Sequence, residues 1–250
     1  MAHFELRKLR LPDAQRCAEL VLNHYNDDPG YRFVWGREPD YEALKQMYTA
    51  KMQRLIGEND VRTWGAYVEG DSGDIVAFVA WNPPNYRKSL SLTLRQKWAT
   101  SPWWTTWPLS VAYGNKTVLT PLQERHRQLS SFRKPVEQSV VDDLGPNHIW
   151  VMHFAGDMDA VDAIMSQKVM VEAKASRGFS VRLSSQHSNE SVAHACAKWD
   201  CKIASRAHFT SDDEGSKPFD TIFLVRPALS LETGQSNSKE LPGASVNAEV

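Results

Sequence analysis

From the N-terminus, FELRKLRL alternates apolar and charged positions and predicts an edge strand. Pro12 and Asp13 then open a helix whose apolar positions Cys17, Leu20, Val21 and Tyr25 recur at helical spacing. Asp27-Asp28-Pro29-Gly30 is expected to end it, since Pro and Gly interrupt helices. A second helix is predicted over residues 41–56, with Leu44, Met47, Tyr48, Met52 and Leu55 on one face. Residues 63–69 and 75–81 read as strands around the turn Gly70-Asp71-Ser72-Gly73, a hairpin closed by Asn82-Pro83-Pro84. Residues 86–144 are rich in Trp, Thr, Ser and Arg, and read as an irregular insertion with one helix from about residue 119 to 140. A strand over 148–155, a helix over 157–176 with Gly178 as its C-cap, a strand over 179–184, a helix over 190–199 and a strand over 221–225 follow.

The order is β-α-α-β-β-insertion-β-α-β-α-β. It predicts an α/β fold of the α+β type, a mixed central sheet flanked by helices. One domain is expected over residues 1–228, with the insertion at 85–147. The tail at 229–250 is rich in Ser, Asn, Gly and Glu and is expected to be disordered.

Composition narrows the function classes. Lys and Arg total 29 and Asp and Glu total 30 in 250 residues, a net charge of −1, so no global basic field exists to hold a nucleic acid. No apolar run reaches the length of a membrane span, and the N-terminal residues carry no apolar signal core. The three cysteines, Cys17, Cys196 and Cys201, lack metal-ligand spacing, as do the scattered histidines, so no metal is expected. Reduced thiols and a cytoplasmic location are expected, with a small molecule rather than nucleic acid or membrane as partner.

Three stretches resemble the GNAT acetyltransferase superfamily. LRKLRLPDAQRCAELVLNHYNDDP is similar to its first strand and helix, and IVAFVAWNPP to its second and third strands. In NESVAHACAKWDCKI, Asn189 and Cys196 stand at the seven-residue spacing at which the family carries Asn and Tyr, followed here by Lys198 and Trp199. The resemblance covers roughly residues 4 to 226 and implies a GNAT-like fold. It also implies acetyl-CoA, whose pyrophosphate the family holds on a Gln/Arg-x-x-Gly-x-Gly/Ala loop at a helix start. Here the matching positions read Met158, Asp159, Ala160, Val161, Asp162 and Ala163, and only Ala163 fits. Val161 is expected to obstruct backbone approach to a phosphate, and Asp157, Asp159 and Asp162 to repel it.

The candidate catalytic residues are His153 and Cys196. His153 lies in the strand that lines the cleft of the family, and a His exchanges protons near neutral pH without special tuning. Cys196 stands where many members carry an acidic Tyr, and either tuned acid–base chemistry or plain packing suits a Cys there. Candidate substrate-binding residues are Trp81, Trp103, Trp104, Ser184, Ser185, His187 and Asn189. The tryptophans suit a pocket wall, core packing or an interface; the Ser and His residues end a strand where ligands bind α/β sheets. Ser185 and His187 lack a nucleophile elbow, which argues against a hydrolase. Arg125, His126, Arg127 and Arg133 form a basic run suited to a solvated face, an anionic substrate or the aspartates near Asp157. The leading expectation is a GNAT-fold enzyme that uses no cofactor. It acts on a small organic molecule by acid–base chemistry (cyclisation, isomerisation or decarboxylation), of the kind found in secondary metabolism. The alternatives are an acetyl-CoA-dependent N- or O-acetyltransferase and a non-catalytic binding protein.

Overall fold

The structure, a computed structural model, describes residues 3–36, 39–58, 60–68, 73–84, 121–145, 147–184, 189–210 and 218–227. Strands β1 (Phe4–Lys8), β2 (Arg62–Val68), β3 (Ile75–Asn82), β4 (Ile149–Gly156), β5 (Gly178–Ser184), β6 (Lys202–Phe209) and β7 (Phe219–Pro227) form a seven-stranded sheet in the order β1-β2-β3-β4-β5-β7-β6. Every neighbouring pair is antiparallel except β4 and β5, which are parallel over Ile149–Phe179, Trp150–Ser180 and Val151–Val181 only. Beyond Val151 and Val181 the two strands part, and β5 continues its pairing with β7 instead. The sheet is forked at its centre.

The helices divide between the two faces. On one, α5 (Met158–Ile164), the π-turn Met165–Val169, α6 (Met170–Ala173) and α7 (Asn189–Trp199) bury Val79, Trp81, Val151, Phe154, Val161, Phe179, Leu183 and Leu224. On the other, α1 (Ala14–Tyr25) and α3 (Tyr41–Gly57) enclose Cys17, Val21, Met52, Leu55, Phe78 and Ala155. On that second face α4 (Pro121–Leu144) covers Phe223 and Val225 with Val140. The short α2 (Pro29–Trp35) packs Phe33 and Val34 against Leu129, Phe209 and Phe219.

The structure corrects four local expectations. Asp28-Pro29-Gly30 starts α2: Asp28 accepts from the Tyr31 N–H at 2.7 Å, and Pro29 sits in the first turn, where its missing N–H is no loss. Gly178 is the first residue of β5, with φ +95; a Cβ there would lie 1.8 Å from the Arg226 carbonyl oxygen. KIASRAHF is the edge strand β6, hidden in the sequence because much of it is exposed. Met47 is exposed on α3 while Leu44, Met52 and Leu55 are buried. The Trp-rich part of the insertion and the tail lie outside the described residues; the helix expected within the insertion is α4.

A bulge in β4 sets which face of the sheet carries His153. Ala80 pairs with His153 but Trp81 pairs with Val151, so Met152 is an extra residue on β4. Strict alternation would give His153 the face of Val151; the bulge gives it the face of Phe78 and Ala155.

Candidate functional site

His153 lies on β4 just past its last pairing with β5, and Arg182 lies on β5 just past Val181. Val181 and Leu183 belong to the core of the first face, so alternation turns Arg182 to the second, the face of His153. Arg182 donates to Glu137 of α4 at 2.6 Å. Arg133, one α-helical turn earlier on α4, donates through Nε to Thr221 Oγ1 of β7 at 3.3 Å. Lys51 comes from α3, its ammonium 5.4 Å from the centre of the Tyr48 ring. Tyr25 of α1 donates its hydroxyl to the Phe154 carbonyl at 3.3 Å.

These groups keep part of their surface open yet sit deep enough that loss of water governs their protonation. Burial, then Lys51 and then Arg182 hold the His153 imidazole well below the ordinary histidine range, so it is neutral at pH 7. Burial brings Lys51 down to about 8, helped by Arg182 and Arg54. Burial, with Arg182 next, lowers Arg133 to about 10. Tyr25 is pushed up by burial, with Asp28 adding to it. A neutral imidazole can accept a proton, and neighbouring cations favour the negative charge that such a transfer leaves behind.

Aromatic rings meet at Phe154 from both faces of the sheet. Phe154 meets Trp199 edge-to-face at 5.8 Å, and His24 of α1 meets Phe154 at 5.7 Å. Asp162 accepts from the Trp199 indole N–H at 2.8 Å and pairs with His194 at 2.8 Å.

The resemblance to the GNAT superfamily places the pyrophosphate seat at the start of the helix after β4, here α5. Only Asp157 separates β4 from α5, and its carboxylate accepts from the Ala160 N–H at 3.0 Å. Asp159 adds a second carboxylate to the first turn. A pyrophosphate would compete with that cap and face two negative charges, so these residues do not fit one. The expectation about Val161 is corrected: its side chain is buried in the core, away from the helix tip, and its N–H bonds to the Asp157 carbonyl at 2.9 Å. The carboxylates are the obstacle.

The other sequence candidates are dispersed. Cys196 packs half-buried against the first-face core, across the sheet from His153, so the two do not form one site. Trp81 is 1% exposed and donates its indole N–H to Glu172 at 2.8 Å, a packing position rather than a pocket wall. Ser184 is the last residue of β5, paired with Thr221, and Asn189 opens α7. Trp103, Trp104, Ser185 and His187 lie outside the described residues. Of the basic run, Arg127 forms a surface pair with Glu124 at 2.7 Å, and Arg133 points inward to Thr221, not to Asp157. His148, just before β4, is buried and touches the Gly145 carbonyl. Among the described residues no group of three potential metal ligands gathers, and no helix is long and apolar enough to cross a membrane.

Lys51 and Arg182 went unread, although each left a trace. Lys51 is seven residues after Leu44, three after Tyr48 and four before Leu55, on the buried stripe of α3. Arg182 stands between buried Val181 and Leu183 in a central strand. A cation at a core position of a regular element is the signal.

This sheet order, with its parallel central pair and fork, is that of the GNAT acetyltransferase fold. Among solved structures, an apo mutant of agmatine N-acetyltransferase aligns over 89% of this chain and 99% of its own, with a TM-score of 0.53 and 13% identity. An Arabidopsis thaliana NAA60 complex with a bisubstrate analogue covers 91% of this chain and 99% of its own, with a TM-score of 0.49 and 11% identity. The C-terminal condensation domain of Ebony, bound to beta-alanyl-dopamine, covers 90% and 100%, with a TM-score of 0.49 and 9% identity. No protein-family model and no curated protein sequence matches the chain.

Proposed function

We propose that this protein is a small-molecule enzyme on the GNAT fold that works by acid–base chemistry at His153 and does not hold acetyl-CoA at the start of α5. The observation that carries the reading is the placement of His153, which the bulge in β4 sets just past the last β4–β5 pairing, on the face it shares with Arg182; burial there keeps the imidazole neutral. In this reading His153 takes a proton from the substrate. The negative charge left behind faces Lys51 and Arg182, which stabilise it. The imidazolium so formed is disfavoured by the same burial and the same cations, so it returns the proton readily, to the original atom or to another. Proton removal at one atom and return at another is an isomerisation, and the same pair of steps serves a cyclisation. Tyr25, whose hydroxyl is already committed to the Phe154 carbonyl, helps fix the wall and does not exchange the proton.

The competing reading, an acetyl-CoA-dependent N- or O-acetyltransferase, is supported by the likeness to agmatine N-acetyltransferase, a likeness of fold. The capped, acidic start of α5 separates the two. Calorimetry with acetyl-CoA and with coenzyme A at low salt tests it: no heat up to millimolar ligand is expected. A dissociation constant in the low micromolar range would overturn the cofactor-free reading and restore the acetyltransferase.

A further inference from the structure

The cations on the fork face are not equally matched. Arg182 has Glu137 at 2.6 Å. Arg133 has the Thr221 hydroxyl, and Asp28 lowers the cost of its charge. A Cβ placed on Gly30 would be 2.9 Å from Arg133 Nη2 and 3.2 Å from Asp28 Oδ1, so the guanidinium and the carboxylate flank the same glycine. Lys51 has no carboxylate partner among the described residues; its ammonium meets only the Tyr48 ring. Three cations therefore face two carboxylates, and the uncompensated charge is the ammonium beside the imidazole.

A half-buried, unpaired ammonium destabilises a fold, and a Met or Leu would suit the apolar stripe of α3 better. Such a charge is explained if something else supplies its partner. Around it stand aromatic rings: Tyr48 stacks against Tyr31 at 6.3 Å and an interplanar angle of 22°, and Trp35 meets Tyr48 edge-on at 6.4 Å. These side chains, from α2 and α3, offer a flat apolar wall next to a positive charge.

We infer that the fork face is a binding site for a small organic oxyanion, whose negative group pairs with Lys51 beside His153 and whose carbon body lies against Tyr48. The inference names the substrate class for the acid–base reading and rests on it for the link to turnover, but the site itself is testable without any reaction. An oxyanion next to Lys51 also restores the ammonium to its ordinary, strongly basic state, because the ion pair offsets the loss of water.

The test uses the full-length protein and three probes at constant low ionic strength: benzoate, inorganic phosphate and benzyl alcohol. Benzoate carries both the charge and the ring, phosphate only the charge, and benzyl alcohol only the ring. Calorimetry is expected to show benzoate binding, weaker phosphate binding and no heat from benzyl alcohol. Phosphate bound more tightly than benzoate would also uphold the anion site but place a phosphate ester there rather than a carboxylate. Lys51→Met is expected to weaken benzoate at least about tenfold while melting at a higher temperature, which rules out misfolding as the cause. Lys51→Arg, keeping the charge, is expected to retain most of the affinity. Absence of binding by both anions, or equal binding by wild type and Lys51→Met, would overturn the site. Micromolar acetyl-CoA binding with the benzoate site intact would overturn the proposed reaction and leave this site standing.

Discussion

The two faces of the sheet bury polar groups in opposite ways. On the face of α5 and α7, the buried polar groups among the described residues are answered by specific partners. Asp162 takes the indole N–H of Trp199 with one oxygen and His194 with the other, and Glu172 takes the indole N–H of Trp81. Those bonds tie α7 to α5 and α6 to β3 across a packed apolar layer. On the face of α1, α3 and α4, Lys51, Arg133, Arg182 and His153 gather near the fork, and among the described residues the positive groups outnumber their carboxylates. A fully satisfied polar group fixes one arrangement of the core, whereas a partly satisfied one is destabilising unless a ligand completes it. The proposed site on the second face rests on that difference, with the first face as its scaffold.

Asp162→Ala breaks the comparison most severely if it is wrong. The substitution leaves a fully buried indole N–H without an acceptor and removes a bond to His194 at the same time. A loss of about 2–4 kcal/mol in urea unfolding is expected. A loss near zero would show that the scaffold face does not depend on its polar pairs.

Lys51→Met is the opposite case on the other face. Bringing the ammonium down to about 8 in the fold, from an ordinary value near 10.5, means the folded chain releases a proton that the unfolded chain still holds. Stability therefore rises as pH climbs from about 8 to 10.5, and the charged form is a burden below that range. Lys51→Met should raise unfolding stability at pH 7 by on the order of 1–3 kcal/mol and flatten the alkaline rise. A destabilised Lys51→Met protein would mean that Lys51 has a structural partner and that the two faces obey the same rule.

The architecture was largely readable from hydrophobic spacing, and the site was not. Alternation and helical periodicity found α1, α3, the β2–β3 hairpin, β4, β5 and α7, because each of these has one strongly apolar face. Short or exposed elements escaped: α2 is a single capped stretch behind a Pro, and β6 is an edge strand in which only Ala207 and Phe209 are buried. His153 was noticed as a titratable residue in the central strand, but its face depends on the extra residue Met152, which appears only when β4 is registered against β3. Lys51 and Arg182 are far apart in sequence and come near each other only once α3 packs against α1 on the second face of the sheet. Cys196 and Trp81, chosen by family spacing and by aromatic density, proved to pack against the opposite core.

His153 sharpens the comparison through acid stability. Its folded value is depressed, so between that value and the ordinary 6.5 or so of the unfolded chain, the unfolded state holds the extra proton. Stability contributed by the neutral ring is present above pH 6.5 and is lost as pH falls below it. The groups that face the ring act together in this: Lys51 from α3 and Arg182 from β5 oppose its charge, while Glu137 of α4 tempers Arg182. His153→Phe should remove part of the slope of stability between pH 6.5 and 5, measured by urea unfolding at several pH values. An unchanged slope would place the ring in contact with water and take it out of the site.

The smallest effect is expected at Asp157, and it bears on the scaffold end of the fork. Asp and Ser cap helices almost equally well, because either side-chain oxygen accepts the free N–H of the first turn. Asp157→Ser should therefore cost no more than about 0.5 kcal/mol, while removing one negative charge from the start of α5. Coenzyme A is still expected to give no heat with this variant: Asp159 remains in the first turn, the hydroxyl still occupies the Ala160 N–H, and β4 still enters α5 through one residue. Uptake of coenzyme A by Asp157→Ser in the micromolar range would show that a single carboxylate was the barrier. The scaffold face would then carry an intact cofactor seat, and the division of the sheet into scaffold and site would fail at its most consequential point.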